Sequence, residues 1–194
     1  ELELETGLAL DGVFISLRAA FEEDALIISG LPDRFEFVEA QQPGQREGIA
    51  AIVLVRIVTD EPVAAGITDD ELLDVRLEEL AGSVPLARTV LLGFSQGGAM
   101  ALDVGSRLPL AGIVACSGYP HEGWQPGAAV APVLLSHGRE DPVVPFAASE
   151  AVQEQLLAAG HNAELLAFNG GHTIDAALLP QISAFVRQQL NTQP

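Results

Sequence analysis

The chain has one cysteine, one tryptophan, one tyrosine and one methionine in 194 residues, and nine lysines and arginines together. The scarcity of cysteine and that of basic residues each exclude something. A lone cysteine, Cys116, cannot close an intrachain disulfide, and no cysteine–histidine spacing suggests zinc. Cys116 ends an apolar run, so a buried structural thiol is expected, and a reducing, cytoplasmic setting with it. Nine basic residues against 27 acidic ones leave a formal net charge of −18. A surface of that sign repels nucleic acid and anionic headgroups, so neither nucleic-acid binding nor stable membrane association is expected. No apolar run reaches the length of a membrane-spanning helix; the longest, 48–58 and 110–115, are strand-sized or slightly longer. The opening residues 1–5 alternate acid and apolar, which suits an edge strand with one wet face and does not resemble a signal peptide.

What is present is a globular composition. Hydrophobic residues make up 48% of the chain, and its length suits a single domain, 1–194, with a substantial core. Strand-like and helix-like segments alternate. Strands are expected at 12–17, 35–39, 48–58, 89–93, 110–117, 133–137 and 163–168. An amphipathic helix is expected at 67–80, and further helices at 98–108, 146–159 and 174–190, the last kinked or split at Pro180. Such alternation with continuous apolar strands predicts an α/β fold, a mostly parallel sheet with helices on both faces. Residues 41–62 are the least legible stretch and carry no visible chemistry.

The richest segment runs from Thr89 to Met100: a buried strand, Gly93-Phe94-Ser95-Gln96-Gly97, and the start of a helix. A serine hydroxyl is a poor nucleophile until it is exposed, oriented and relieved of its proton. A sharp strand-to-helix turn exposes and orients it. Gly93 and Gly97 stand where side chains would collide as strand and helix pass. The backbone amide of Gln96, at the helix N-terminus, can donate to a developing oxyanion. The five-residue pattern is weak alone; its context between strand and helix raises it.

The serine needs a base, and the base needs an orienting acid. In an open α/β sheet both belong on loops at the carboxyl ends of strands. One such loop carries Asp141, stiffened by Pro142 and Pro145; a turn or capping aspartate is the plainer account of it, and Glu140 beside it is expected to face water. Another carries His172, after a glycine pair and before a helix, where a general base could reach across a cleft. His137 ends a strand and is expected to make structural hydrogen bonds. His161 follows a helix C-terminus, and His121 lies in a loop with Tyr119, Pro120 and Trp124. The order Ser95, Asp141, His172 is the chain order of the α/β-hydrolase triad.

These blocks, with Ala115-Cys116-Ser117-Gly118-Tyr119, His137-Gly138-Arg139-Glu140-Asp141-Pro142-Val143-Val144-Pro145 and Gly170-Gly171-His172, resemble the carboxylesterase/phospholipase family of α/β hydrolases. That family includes lysophospholipases and acyl-protein thioesterases. The resemblance covers about residues 84–190. It implies an α/β-hydrolase fold with nucleophile Ser95, acid Asp141, base His172 and the Gln96 amide as one oxyanion donor. No cofactor and no metal are expected. The first 80 residues depart from the family. Its His-Gly-x-Gly turn, source of the second oxyanion donor, is replaced by Arg18-Ala19-Ala20-Phe21, so the backbone near Ala19 or Ala20 is the remaining candidate.

Two functions follow as expectations. The first is a serine hydrolase for carboxylic esters, thioesters included, with short or medium acyl chains. Phe94, Trp124 and Val143 are its candidate pocket walls, although core packing accounts for Phe94 and Val143 nearly as well. Its partner is a small acyl ester, and a homodimer is compatible with it. The second is a weak or inactive hydrolase-like protein that binds a small ligand. It is motivated by the missing turn, since losing one oxyanion donor costs about a hundredfold in turnover. A lactone hydrolase is disfavoured by serine, rather than cysteine, at the elbow.

Overall fold

Alternation in the apolar strands dictates the architecture. Along β4 (Thr89–Phe94), Val90, Leu92 and Phe94 enter one hydrophobic cluster and Leu91 the other. In β5 (Gly112–Cys116), Val114 and Cys116 join the first of these while Ile113 and Ala115 join the second. β6 (Val133–Gly138) repeats the division, with Leu134 on one side and Val133 and Leu135 on the other. Strands apolar on both faces must be covered on both faces. The computed structural model describes residues 25–28, 35–40, 50–55, parts of 71–82, and 84–192 apart from 129 and 130.

Among the described residues the sheet has seven strands in the order β1-β2-β3-β4-β5-β6-β7. β1 (Ala25–Ile28), β2 (Phe35–Ala40) and β3 (Ala50–Val55) pair antiparallel in sequence. From β3 onward every pairing is parallel, ending at β7 (Ala163–Phe168). α1 (Gln96–Gly105) and α2 (Phe146–Ala158) cover one face: Met100, Leu102, Val152 and Leu156 pack with Leu73 and Leu77. α3 (Leu179–Thr192) covers the other through Ile182, Val186 and Leu190. This is the mostly parallel, doubly covered sheet that the sequence predicts.

Differences from the expected elements have local causes. α1 begins at Gln96 rather than 98, because Ser95 itself precedes the first helical residue. The expected helix 174–190 starts late. Asp175 accepts the Ala177 amide at 2.9 Å and caps a short 3-10 turn, Ala176–Leu178, before α3. Pro180 neither kinks nor splits α3. It is the second residue of that helix, where its missing N–H falls among amides that have no helical acceptor. β1 was not expected from the sequence. The expected strands at 1–5 and 12–17 lie outside the described residues, as do most of 41–62 other than β3.

Candidate active site

Register decides where the loops emerge. Phe94 pairs with Cys116, Cys116 with Ser136, and Gly138 with Phe168. The carboxyl ends of β4 to β7 therefore lie within two residues of one another, and the segments bearing Ser95, Asp141 and His172 leave the same end of the sheet.

At the first of these ends the chain turns sharply. Ser95 has φ 54° and ψ −118°, a conformation that costs a non-glycine residue about 1–3 kcal/mol. Its neighbours hold it there. The Ser95 amide donates to the Cys116 carbonyl at 2.8 Å, and its carbonyl accepts from Ala99 at 3.0 Å. A Cβ on Gly93 would lie 2.1 Å from the Gly97 carbonyl oxygen, so strand and helix meet backbone to backbone. Helical hydrogen bonding starts at the Ala99 amide. The amides of Gln96, Gly97 and Gly98 come before it, at the positive end of the helix dipole. Ser95 makes no side-chain cap to the helix, which leaves its hydroxyl for another partner.

That partner is His172. Its Nε2 lies 2.9 Å from Ser95 Oγ, and its Nδ1 lies 2.7 Å from Asp141 Oδ2. A carboxylate only accepts, so Nδ1 carries the hydrogen and Nε2 presents its lone pair to the serine hydroxyl. The imidazole is 15% exposed and the carboxylate 0%. The Phe94 ring sits 4.8 Å from the imidazole, centroid to centroid, with the two planes 49° apart.

Asp141 is held from its other side. Oδ1 accepts the amides of Val143 and Val144, both at 2.8 Å. Burial pushes the carboxyl up, but the hydrogen bond from His172, the two amides and the His172 charge outweigh it and hold the group below its ordinary value. Asp141 is thus a turn aspartate and the partner of His172 at once, while Glu140 faces water. Backbone bonds tie the two loops together: Arg139 N to Phe168 O at 2.8 Å and Glu140 N to Gly170 O at 3.0 Å.

The remaining sequence-predicted residues separate. Gln96 opens α1 as expected. Ala19 lies outside the described residues. Val143 is 62% exposed beside Asp141 and does not pack in the core. Trp124 is 7% exposed and belongs to the cluster with Met100, Leu102 and Val104. Cys116 is fully buried, and burial pushes its thiol up to about 12. His161 is buried, with Nε2 3.1 Å from the Gly127 carbonyl. His121 reaches Asp103 on α1 at 3.2 Å. Sequence reasoning missed the role of Gly138, whose Cβ would lie 2.3 Å from the Gly170 carbonyl oxygen. Glycine at the end of a buried strand, with a glycine pair on the next loop, was the available signal.

Neighbouring parallel strand ends, a strained serine at the start of α1 and a histidine bridging it to a carboxylate mark an α/β-hydrolase fold. The chain belongs to the phospholipase/carboxylesterase family, whose model matches residues 65–190. It is 31% identical over 128 residues to acyl-protein thioesterase 1 of Neurospora crassa, covering 60% of this chain and 52% of that protein. Among solved structures it is similar to esterase PE8, with 36% identity, TM-score 0.59, and 66% of this chain and 69% of that one covered. It is also similar to SOBER1 of Arabidopsis thaliana, with 28% identity, TM-score 0.51, and coverage of 64% and 67%. The chain spans about half the length of the curated acyl-protein thioesterases it matches. Nothing among the described residues favours the inactive, ligand-binding alternative.

Proposed function

We propose that this chain is a serine hydrolase that cleaves carboxylic esters, thioesters included, through an acyl-enzyme on Ser95. The observation that carries the proposal is the bridge of His172 between Ser95 and Asp141, at 2.9 and 2.7 Å. Ser95 Oγ attacks the acyl carbonyl while His172 Nε2 takes its proton. Asp141 fixes the reactive tautomer and stabilises the imidazolium that forms. Negative charge gathers on the former carbonyl oxygen, where the Gln96 amide and the positive end of α1 oppose it. Collapse expels the alcohol or thiol, which receives the proton from His172. A water, deprotonated by the same nitrogen, then releases the acid. Phe94 and Val143 border this chemistry and are proposed to meet the acyl group.

Relatives named thioesterase and carboxylesterase support the reaction class. The reading takes the chain as one hydrolase domain in the cytoplasm, a setting that suits a single, fully buried thiol. Labelling with a fluorophosphonate probe tests it, because phosphonylation needs an activated serine and not the natural substrate. Wild type is expected to be labelled at Ser95 and to hydrolyse p-nitrophenyl butyrate. Ser95→Ala should lose labelling and about 10⁶-fold in turnover. Equal, slow hydrolysis by both proteins would end the proposal.

A further inference from the structure

A second histidine stands behind the carboxylate of the Ser95–His172–Asp141 constellation. His137 is the fifth residue of β6 and is completely buried. Its Nε2 lies 2.9 Å from the Val144 carbonyl oxygen. A carbonyl only accepts, so Nε2 carries a hydrogen. The same nitrogen is 3.3 Å from Asp141 Oδ2, the oxygen that receives His172. On the far side, Nδ1 lies 2.6 Å from Ser149 Oγ, itself buried on α2. With Nε2 protonated, the neutral ring accepts the Ser149 hydroxyl hydrogen at Nδ1. The Phe146 ring meets the imidazole edge-on at 5.8 Å.

The geometry points to His137 as a positioning residue for the proposed hydrolysis, holding Asp141 on line with His172. This inference rests on the serine-hydrolase reading. Val144 is the link. Its amide donates to Asp141 Oδ1, and its carbonyl is gripped by His137. One imidazole therefore anchors the residue that clamps one carboxylate oxygen, while its N–H faces the other oxygen. The Val144 carbonyl sets the tautomer, and Ser149 holds the far side of the ring. The anchors come from two rigid elements, β6 and α2, so the Asp141 loop is braced against the scaffold and not only against itself. The ring of His137 meets Ser149, Val144, Asp141 and Phe146, and it acts on the reaction through Asp141.

Side-chain reach separates this role from simple packing. A glutamine amide places its nitrogen near the Nε2 position of histidine, whereas an asparagine amide reaches only the Nδ1 position. His137→Gln is therefore expected to keep kcat within about threefold of wild type, and His137→Asn to lose about tenfold or more, both at unchanged KM. Ser149→Ala is a small change in a well-formed helix that releases the far anchor. It should lower kcat about threefold at unchanged KM, with thermal unfolding followed alongside. Equal kcat for the glutamine and asparagine variants would overturn the inference. So would a rise in KM with kcat intact, or a Ser149→Ala variant as fast as wild type should neither histidine variant fold. Fluorophosphonate labelling distinguishes the two levels of the argument. Wild type left unlabelled at Ser95 overturns the hydrolase reading itself. Wild type labelled, with every variant as active as it is, overturns only the role of His137.

Discussion

Ser95 and Asp141 solve opposite problems. As the proposed nucleophile the serine is neutral and must be made reactive, and it sits at φ 54° in a turn pinned by Cys116 and Ala99. The aspartate is charged and must stay charged although buried, so the fold surrounds it with donors: the Val143 and Val144 amides and His172. That asymmetry has a consequence for stability. The folded Asp141 binds its proton less readily than the unfolded one. Between the two values the unfolded state holds more protons, so stability rises with pH there. The contribution is fully present above the ordinary carboxylate value of about 3.9 and is lost as pH falls through the lower, folded one. Thermal midpoints measured for wild type and Asp141→Asn from pH 7 downward should converge below pH of about 4. A constant difference across that range would contradict the assigned cause. Of the residue-scale facts, the serine, the aspartate and the histidine were legible in the sequence because each stood in a short block with glycine or proline punctuation. The grip of His137 on Val144 was not legible, since nothing in one dimension says which carbonyl a buried imidazole will face.

At the scale of elements, precision comes from glycines between backbones rather than from side-chain packing. β6 ends on Gly138, and a Cβ there would sit 2.3 Å from the Gly170 oxygen and 2.4 Å from the Gly171 oxygen. Alanine at 138 must push the 170–171 turn away, and His172 is the next residue along. Gly138→Ala is expected to lose about a hundredfold in kcat, as misplacement of about an ångström does. Gly160→Ala is the matched control. Gly160 has φ +88° with nothing within 4 Å of its added Cβ, so it should cost about 1 kcal/mol of stability and leave kcat unchanged. Steady-state kinetics with unfolding curves on both proteins checks the pair. The same scale shows where periodicity misled. Apolar residues from 174 onward read as one helix with a proline inside it. The Asp175 cap diverts the first residues into a 3-10 turn, and Pro180 falls at the start of α3 instead. Local hydrogen bonding by one carboxylate outweighed the apolar period. β1 is four residues long and its partner is β2; a strand so short announces itself by pairing, not by pattern.

The whole molecule carries −18, and a charge that far from zero repels itself in the compact state. Screening weakens that repulsion as the Debye length falls from about 30 Å at 0.01 M salt to about 10 Å at 0.1 M. The thermal midpoint should therefore rise with sodium chloride over that range. A midpoint that is flat or falling would mean that attractive pairs dominate the surface. The same field leaves esters free to approach, because neutral substrates gain and lose nothing from it, while polyanions are turned away.

By itself the sequence determined what local chemistry and period can encode. Alternating apolar strands demanded a sheet covered on both faces, the glycine-bracketed serine demanded a strained turn, and the matching blocks placed three reactive groups in chain order. The tertiary structure alone decided that these groups converge. Distances of 2.9 and 2.7 Å join residues 77 and 31 positions apart, and they depend on the neighbouring ends of β4, β6 and β7 and on two loops laced by Arg139 and Glu140 amides. It also decided that Trp124 packs inward and that His137 braces Asp141. The reason is physical: local pattern fixes which face a residue presents, but only the register of neighbouring strands fixes what that face meets.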